Sequence, residues 1–324
     1  MNILLTGGAG YIGSNTAHCL LDQGYRVTIL DNLISGDAKL VPKFANFIEA
    51  DISDETIVSK LLKNNKFDLV MHFAGLVKVE ESIKFPEKYN LYNVDKAKKF
   101  FQFCLAAGLN KIIFSSTAGI YGKKKENSKV SESDELQPSN PYAQTKYEFE
   151  KHLLNLSKEN KAKCIILRYF NVAGADNANR AGLSAINSNN LIKVICELAT
   201  EKRKEISVNG DDYKTKDGTP VRDFIHVSDL AEMHIIAAKN IFLNESSDIY
   251  NCGYGKGYSV KEVISTMEKI LNKKLNYKTG PRRKNDIPYS VANSIKFKDK
   301  FNWRPKYNNL ELILKSALNW EKKI

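Results

Sequence analysis

A doubly wound parallel α/β sheet with a smaller, interleaved C-terminal domain is the fold that this sequence predicts. Short apolar runs alternate with helical stretches through the first half of the 324 residues. The first run ends in the glycine-rich turn T-G-G-A-G-Y-I-G, and the second ends on a carboxylate, Asp31. Strands and helices in alternation imply right-handed crossovers, and hence parallel strands covered by helices on both faces.

Asn2–Thr6 is the expected first strand, short and apolar as a strand buried on both faces must be. Tyr11–Gln23 follows as a helix with Gly24 as its stop. Arg26–Leu30 and Phe47–Glu49 are the next strands, and a helix runs from about Asp54 to Leu62. A fourth strand lies within Phe67–Phe73. Pro86 suits a first helical turn and opens a long helix to about Ala107, which Gly108 ends. Lys111–Ser115 is the fifth strand and Lys163–Arg168 the sixth. Between them, Tyr142 to about Ser157 is helical, with Phe149, Leu153, Leu154 and Leu156 as its apolar positions.

The second half is less regular. Asp176–Asn189 reads as a polar loop, Asn190–Glu201 as a helix, and Ser207–Thr219 as a turn or hairpin rich in Gly, Asp and Lys. A helix from Ser228 to about Asn240 precedes a strand, Ile249–Cys252, that returns to the main sheet. Val260–Leu271 and Leu310–Trp320 are the remaining helices. With no internal repeat and no linker, the expected division is 1–170 with 226–252 returning to it, against 171–225 and 253–324.

Composition narrows the function. The net charge is +12, yet only eight of the 49 basic residues are Arg, the type suited to bidentate phosphate recognition. No basic stripe with interleaved aromatics occurs, so a Lys-rich solvated surface is expected and a nucleic-acid partner is not. A basic balance still steers anionic small molecules. Cys19, Cys104, Cys164, Cys196 and Cys252 are unpaired in spacing and read as reduced thiols of a cytoplasmic protein. The five His show no ligand spacing, and no metal is expected. No apolar run reaches membrane-spanning length, and the start MNILLTGG is already a strand rather than a secretory signal.

The glycine turn carries the first chemistry. Gly7 permits the tight turn, Gly10 lets backbone approach a pyrophosphate, and Gly13 allows close packing of helix on strand. The helix N-terminus then offers free N–H groups and a partial positive charge. Asp31 lies at the end of the next strand, where a carboxylate accepts from ribose hydroxyls and repels a 2′-phosphate, so NAD is favoured over NADP. The first domain is therefore expected to be a Rossmann domain. Asp51 and Ile52, at the end of the third strand, are expected to flank the adenine.

Tyr142 and Lys146 form Y-x-x-x-K, four apart and on one face of a helix. A phenol titrates near 10, so its use as a base at neutral pH calls for a lowering of about 3 units, or roughly 4 kcal/mol. Lys146, a nicotinamide cation and the helix N-terminus are the expected sources. The pair follows the fifth strand, whose end F-S-S-T places the Ser115 and Thr117 hydroxyls where such sheets bind ligands.

The ordered set T-G-G-A-G-Y-I-G-S, L-D-N-L, H-F-A-G, F-S-S-T-A-x-x-Y-G, P-Y-x-x-x-K, R-Y-F-N-V-A-G-A, N-N-L, V-R-D-F-I-H-V-x-D-L and R-R-x-x-D-I-P spans nearly the whole chain. It resembles the extended short-chain dehydrogenase/reductase family, and within it the UDP-hexose 4-epimerases. The resemblance implies that Tyr142 takes the proton of a sugar 4-hydroxyl while hydride passes from C4 to NAD, and that Thr117 bonds the same hydroxyl. The 4-keto sugar then turns over and receives the hydride on its other face. UDP-galactose and UDP-glucose are the implied substrates. Cofactor contacts are expected from Gly7, Gly10, Tyr11, Ile12, Gly13, Asp31, Asn32, Asp51, Ile52, Phe73, Ala74, Gly75, Ser115, Tyr142 and Lys146. Asn93 and Phe170 are expected at the nicotinamide end. Asn171, Asn190, Arg222, Arg283 and Asp286 are the implied UDP and sugar contacts. Arg222 and Arg283 also have a direct rationale as forks for a diphosphate, with a surface salt bridge as the plain alternative.

Two positions depart from the family pattern. Val77 stands where these epimerases often carry a Lys that contacts the cofactor, and Lys78 follows it. Ser290 occupies a gate where a bulky Tyr disfavours N-acetyl sugars, which adds UDP-GalNAc and UDP-GlcNAc to the expected substrates. A one-residue shift would put Tyr289 there instead. Elimination chemistry is not expected, because Ala118 and Gly119 follow Thr117 where a dehydratase carries an Asp-Glu pair. A UDP-glucuronate decarboxylase, a UDP-pentose 4-epimerase and a non-catalytic nucleotide-sugar sensor stay open as alternatives. A homodimer is implied by the resemblance, through the helices 87–107 and 142–157, with Phe100, Phe103, Phe149 and Leu153 as either its apolar surface or core.

Overall fold

Ile3, Leu4 and Leu5 are wholly buried, as a central strand covered on both faces requires. The computed structural model describes residues 1–123, 128–186, 188–243, 246–283 and 286–324. In chain order its strands are β1 (Asn2–Thr6), β2 (Arg26–Asp31), β3 (Asn46–Glu49), β4 (Leu69–His72), β5 (Lys111–Thr117), β6 (Lys163–Tyr169) and β7 (Asn171–Ala173). They continue as β8 (Ile206–Asn209), β9 (Val221–His226), β10 (Asp248–Cys252), β11 (Gly257–Ser259), β12 (Tyr277–Gly280) and β13 (Tyr289–Ser290).

Seven strands form one sheet in the order β10-β6-β5-β4-β1-β2-β3. β1 pairs in parallel with both β2 and β4, and β3 and β5 extend the sheet in parallel on either side. The strand order reverses at β1, so the glycine turn after β1 and the loop after β4 open at a topological switch point, where such sheets bind ligands.

The chain divides into two compact units. The first comprises Met1–Ile120, Leu136–Arg168 and Ala231–Tyr250; the second comprises Tyr121–Glu135, Tyr169–Leu230 and Asn251–Ile324. Tyr121–Glu135, kept with the first half by the sequence, clusters with the second unit.

The core of the first unit is aromatic. Phe100, Phe101, Phe114 and Phe149 are buried together with Leu153 and Cys104, and Phe103 packs against them. Phe100, Phe149 and Leu153 are thus core residues and supply no apolar surface for a second copy. The expected long helix from Pro86 is three pieces: Pro86–Asn90, a wider π turn Leu91–Asp95, and Lys96–Ala106. A further helix, Val79–Lys84, has no counterpart in the sequence expectation. Such π turns gather at functional sites, and this one holds Asn93.

In the second unit, β9 is central. It pairs with β7 and β13 in parallel and with β11 antiparallel. β8 pairs in parallel with β12, so the first residues of the expected turn or hairpin at Ser207–Thr219 join a strand some 70 residues later. The remainder turns back through the Tyr213 N–H to the Gly218 carbonyl at 2.9 Å. The helix Leu191–Ala199 packs against the C-terminal helix Leu310–Lys323, and the Lys193 ammonium donates to the buried Glu321 carboxylate at 2.6 Å. All five cysteines are free, and four of them are buried. No described helix is long and apolar enough to cross a membrane.

Candidate active site

The glycines of the first turn answer to different constraints. Gly7 has φ +73, and a Cβ there would lie 2.4 Å from the Ala74 nitrogen. A Cβ on Gly13 would lie 2.3 Å from the Gly7 carbonyl oxygen. Both positions are therefore dictated by the fold. A Cβ on Gly10 would meet only the Gly7 oxygen, at 3.3 Å, so the protein itself leaves that backbone open. Gly10 is also the N-cap of the helix Tyr11–Asp22 and provides no side-chain cap. An open backbone at an uncapped helix N-terminus fits the pyrophosphate of a dinucleotide.

Asp31 ties this turn to the end of β2. Its Oδ2 accepts from the Ala9 N–H and its Oδ1 from the Leu33 N–H, both at 2.9 Å. Burial raises its pKa against those two bonds. Each oxygen keeps lone-pair capacity for a ribose hydroxyl. Asp51 takes a 2.7 Å ion pair from Lys96 and a 2.9 Å bond from the Asn32 amide. Burial raises its pKa, but the bonds from Lys96, Ser53 and Asn32 outweigh it and hold the carboxyl at about 2. Ile52 is buried in the core cluster.

The helix Pro141–Lys158 starts with Pro141 in its first turn and Asn140 as N-cap, whose Oδ1 accepts from the Ala143 N–H at 2.9 Å. That fixes Tyr142 and Lys146 relative to β5. The Lys146 ammonium is buried, donates to the Ser115 carbonyl at 2.9 Å and lies 5.0 Å from the centre of the Phe114 ring. It is the Ser115 carbonyl, rather than its hydroxyl, that takes part here. Burial pulls the Lys146 pKa down to about 8, and the Glu150 carboxylate opposes the fall.

In the protein alone, the Tyr142 phenol is pushed up to about 12 by burial, against the Thr117 side chain, which lowers it. Desolvation of the phenolate outweighs what the protein's own groups contribute. The Thr117 hydroxyl also accepts from the Gly119 N–H at 3.1 Å.

Asn93 is spent on positioning. Its amide oxygen accepts from the Leu76 N–H at 2.7 Å, and its amide nitrogen donates to the Leu76 carbonyl at 3.0 Å and to the Thr145 hydroxyl at 3.1 Å. Thr145 donates in turn to the Tyr142 carbonyl at 2.8 Å. Asn93 thus ties the loop after β4 to the Tyr142 helix. Phe73, Ala74 and Gly75 are half-buried in that loop, and a Cβ on Gly75 would lie 3.0 Å from Asn93 Oδ1 and 3.7 Å from the Lys146 ammonium. Val77 and Lys78 are both exposed.

Beneath Lys146 lies a network that the sequence did not single out. Arg168 donates through Nε and Nη2 to the two carboxylate oxygens of Glu150, at 3.1 and 2.7 Å, with both side chains buried. The Ser116 hydroxyl makes a short bond to Glu150. Glu150 follows Lys146 by four residues, and that helical spacing was the available signal.

The second unit gathers charged groups around β9. Arg222 donates to Asp286 at 2.6 Å and to the Val221 carbonyl at 2.9 Å. Arg283 bonds the Asn209 side-chain oxygen at 3.0 Å in the amide orientation that satisfies both groups. Arg282, unmarked in the sequence expectation, reaches Asp212 at 2.6 Å and lies 4.2 Å from the centre of the Tyr213 ring. Asn190 caps the helix Leu191–Ala199, accepting from the Ile192 and Lys193 N–H groups at 3.1 and 3.2 Å. Asn171 lies in β7, paired with Phe224, and the Phe170 N–H donates to the Cys252 carbonyl at 3.1 Å. In the β13–β9 pair, Ser290 sits opposite Arg222 and Tyr289 opposite Val221. Because side chains alternate along a strand, Ser290 shares a face with Arg222 and Tyr289 takes the other.

Residues 3–253 match the NAD dependent epimerase/dehydratase family. A UDP-glucose 4-epimerase of Azospirillum brasilense is 38% identical over 322 residues, covering 99% of this chain and 92% of that protein. A crystal structure of UDP-glucose-4-epimerase from Stenotrophomonas maltophila, with bound NAD and formylated UDP-arabinopyranose, superposes with a TM-score of 0.96 at 33% identity, covering 100% of this chain and 98% of that one. The UDP-Glc/GlcNAc 4-epimerase of Campylobacter jejuni is 41% identical with a TM-score of 0.86, covering 100% and 99%. With the glycine cradle, the Tyr142–Lys146 pair and these likenesses together, the chain belongs to the NAD dependent epimerase/dehydratase family.

Proposed function

We propose that this chain is a UDP-hexose 4-epimerase that interconverts UDP-galactose and UDP-glucose, and also UDP-GalNAc and UDP-GlcNAc. The observation that carries the chemistry is the Lys146 ammonium, buried on the helix of Tyr142 and held by the Ser115 carbonyl at 2.9 Å, with the Thr117 side chain acting on the Tyr142 phenol. A sugar 4-hydroxyl is held by the Tyr142 and Thr117 hydroxyls. Tyr142 removes its proton and returns it after the 4-keto sugar has turned over. Lys146 holds most of its charge at neutral pH and favours the phenolate. NAD, when bound, supplies the hydride acceptor and a cationic ring. Gly7, Gly10 and Gly13 with the helix start at Tyr11 and Ile12 take its pyrophosphate, Asp31 and Asn32 its ribose, and Asp51 the adenine end. Asn93 fixes the loop that bears Phe73, Ala74 and Gly75, while Ser115 holds Lys146 in place and Phe170 is assigned to the nicotinamide end.

In the second unit, Arg222 and Arg283 hold the diphosphate, Asp286 orients Arg222, and Asn171 and Asn190 hold the rest of the UDP-sugar. Ser290, on the face of Arg222, is the gate, and its small side chain leaves room for an acetamido group. The Campylobacter jejuni relative bears both Glc and GlcNAc in its name, which supports the wider substrate range. We also assign the protein to the cytoplasm as a homodimer; sedimentation as a monomer at micromolar concentration would refute the dimer.

The purified protein, with no NAD added, is expected to convert both UDP-galactose and UDP-GalNAc, resolved by anion-exchange chromatography. Ser290→Tyr is expected to lower kcat/KM for UDP-GalNAc at least tenfold relative to UDP-galactose, about 1.4 kcal/mol in the transition state. Conversion of UDP-galactose alone by the parent would remove the gate and keep the mechanism. Conversion of neither, even with NAD added, would point to a decarboxylase, a pentose epimerase or a sensor.

A further inference from the structure

We propose that Asp223 is a specificity-determining positioning residue, whose carboxylate fixes the register of the segment bearing Ser290 and so keeps Ser290, rather than Tyr289, on the face of Arg222. The proposal rests on the reading of Ser290 as the gate.

Asp223 follows Arg222 in β9 and is wholly buried. Its Oδ1 accepts from the Tyr254 N–H at 2.9 Å, and its Oδ2 from the Gly255 N–H at 2.8 Å and the Ala292 N–H at 3.2 Å. These donors come from two separate segments, the turn after β10 and the stretch just past β13. One side chain therefore pins both to β9. The clamp is tightly packed: a Cβ on Gly253 would lie 2.7 Å from Asp223 Oδ2 and 2.7 Å from the Ala292 Cβ.

The segment needs such a clamp. β13 has only two residues, and its register rests on Tyr289 opposite Val221 and Ser290 opposite Arg222. Backbone bonds from the Val221 N–H to the Pro288 carbonyl, and between Val130 and both Val291 and Asn293, hold its ends. Backbone bonds of this kind can re-form one residue along, whereas the buried carboxylate marks one N–H, that of Ala292. A slip by one residue exchanges the faces of all side chains in a strand. Here it would replace a Ser with a Tyr on the face of Arg222. Asp223 and Tyr289 share the opposite face, so Asp223 touches the substrate only through this register.

A purely structural clamp would cost activity on every substrate alike, whereas a register clamp costs the bulkier substrate more. The test compares Asp223→Asn, Ala292→Pro and Ser290→Tyr with the parent, using UDP-galactose and UDP-GalNAc. Asp223→Asn replaces an acceptor with a donor facing N–H groups; Ala292→Pro removes the N–H and leaves the carboxylate, and serves if the first variant does not fold. Either is expected to lower kcat/KM for UDP-GalNAc at least tenfold more than for UDP-galactose. Adding Tyr289→Ser to it is expected to restore the parental substrate ratio within about threefold. Parallel losses on both substrates, or a ratio that Tyr289→Ser leaves unrestored, overturn the proposal. If Ser290→Tyr leaves the ratio unchanged, the gate itself is wrong and the proposal falls with it.

Discussion

Replacing Lys146 with Met is expected to lower kcat about 10³-fold while making the fold more stable at pH 7. The two effects have one cause. Lys146 is buried, and burial depresses its pKa from 10.5 to about 8 despite the Glu150 charge. A folded-state pKa below the unfolded one contributes stability that is fully present above pH 10.5 and is lost as pH falls through 8. At neutral pH the folded protein carries the whole cost of the buried ammonium, about 3 kcal/mol at 1.36 kcal/mol per pH unit. Met removes that cost and also the charged hydrogen bond to the Ser115 carbonyl, worth about 2 kcal/mol. The net gain is about 1 kcal/mol at pH 7, and it vanishes or reverses by pH 10.5. Urea denaturation of parent and variant at pH 7 and pH 10 measures it, and a gain that does not shrink with pH refutes the account. The parent's kcat should also decline above about pH 8 as Lys146 loses its proton. A Lys146→Met variant within tenfold of parental kcat would remove Lys146 from the chemistry.

Glu150→Gln is expected to destabilise the fold by about 3–5 kcal/mol, the usual result of leaving one partner of a buried pair uncompensated. Arg168 would keep its charge with a side chain only 2% exposed, facing an amide with one acceptor oxygen in place of a carboxylate with two. The double variant Glu150→Gln/Arg168→Met, which removes the buried guanidinium along with its carboxylate, is expected to recover most of that loss, as apolar replacement of buried pairs often does. Melting of the three variants decides it; a double variant no better than Glu150→Gln would mean that the pair is not the unit of stability. Activity should fall further than stability explains. Without the Glu150 charge, burial acts unopposed on Lys146 and a smaller fraction stays protonated at pH 7. His72, near Lys146, is kept neutral, held down to about 3 by burial and then by Lys146 itself.

The parallel sheet, the glycine-rich turn and the helix of Tyr142 and Lys146 were legible in the sequence because each is encoded locally. Apolar runs such as Asn2–Thr6 stay apolar because both faces are covered. The spacing of Gly7, Gly10 and Gly13 is a property of one turn, and Tyr142 and Lys146 share a helix face by periodicity alone. Tertiary structure decided what depends on distant partners. β9 finds β7, β11 and β13, and β8 finds β12, across separations no local pattern records. Phe100, Phe149 and Leu153 became core because the sheet and its helices close over them. Asn190 turned out to cap a helix and Asn93 to brace a loop, since an amide's partners are set by what folds against it. In the protein alone the Tyr142 phenol stands at about 12, because desolvation depends on burial in three dimensions, whereas the lowering expected from the sequence rested on a nicotinamide cation and a helix N-terminus as well as on Lys146. Which of Ser290 and Tyr289, one residue apart, shares a face with Arg222 follows only from pairing with β9, since a strand's two faces are distinguished by its neighbour and not by its own order.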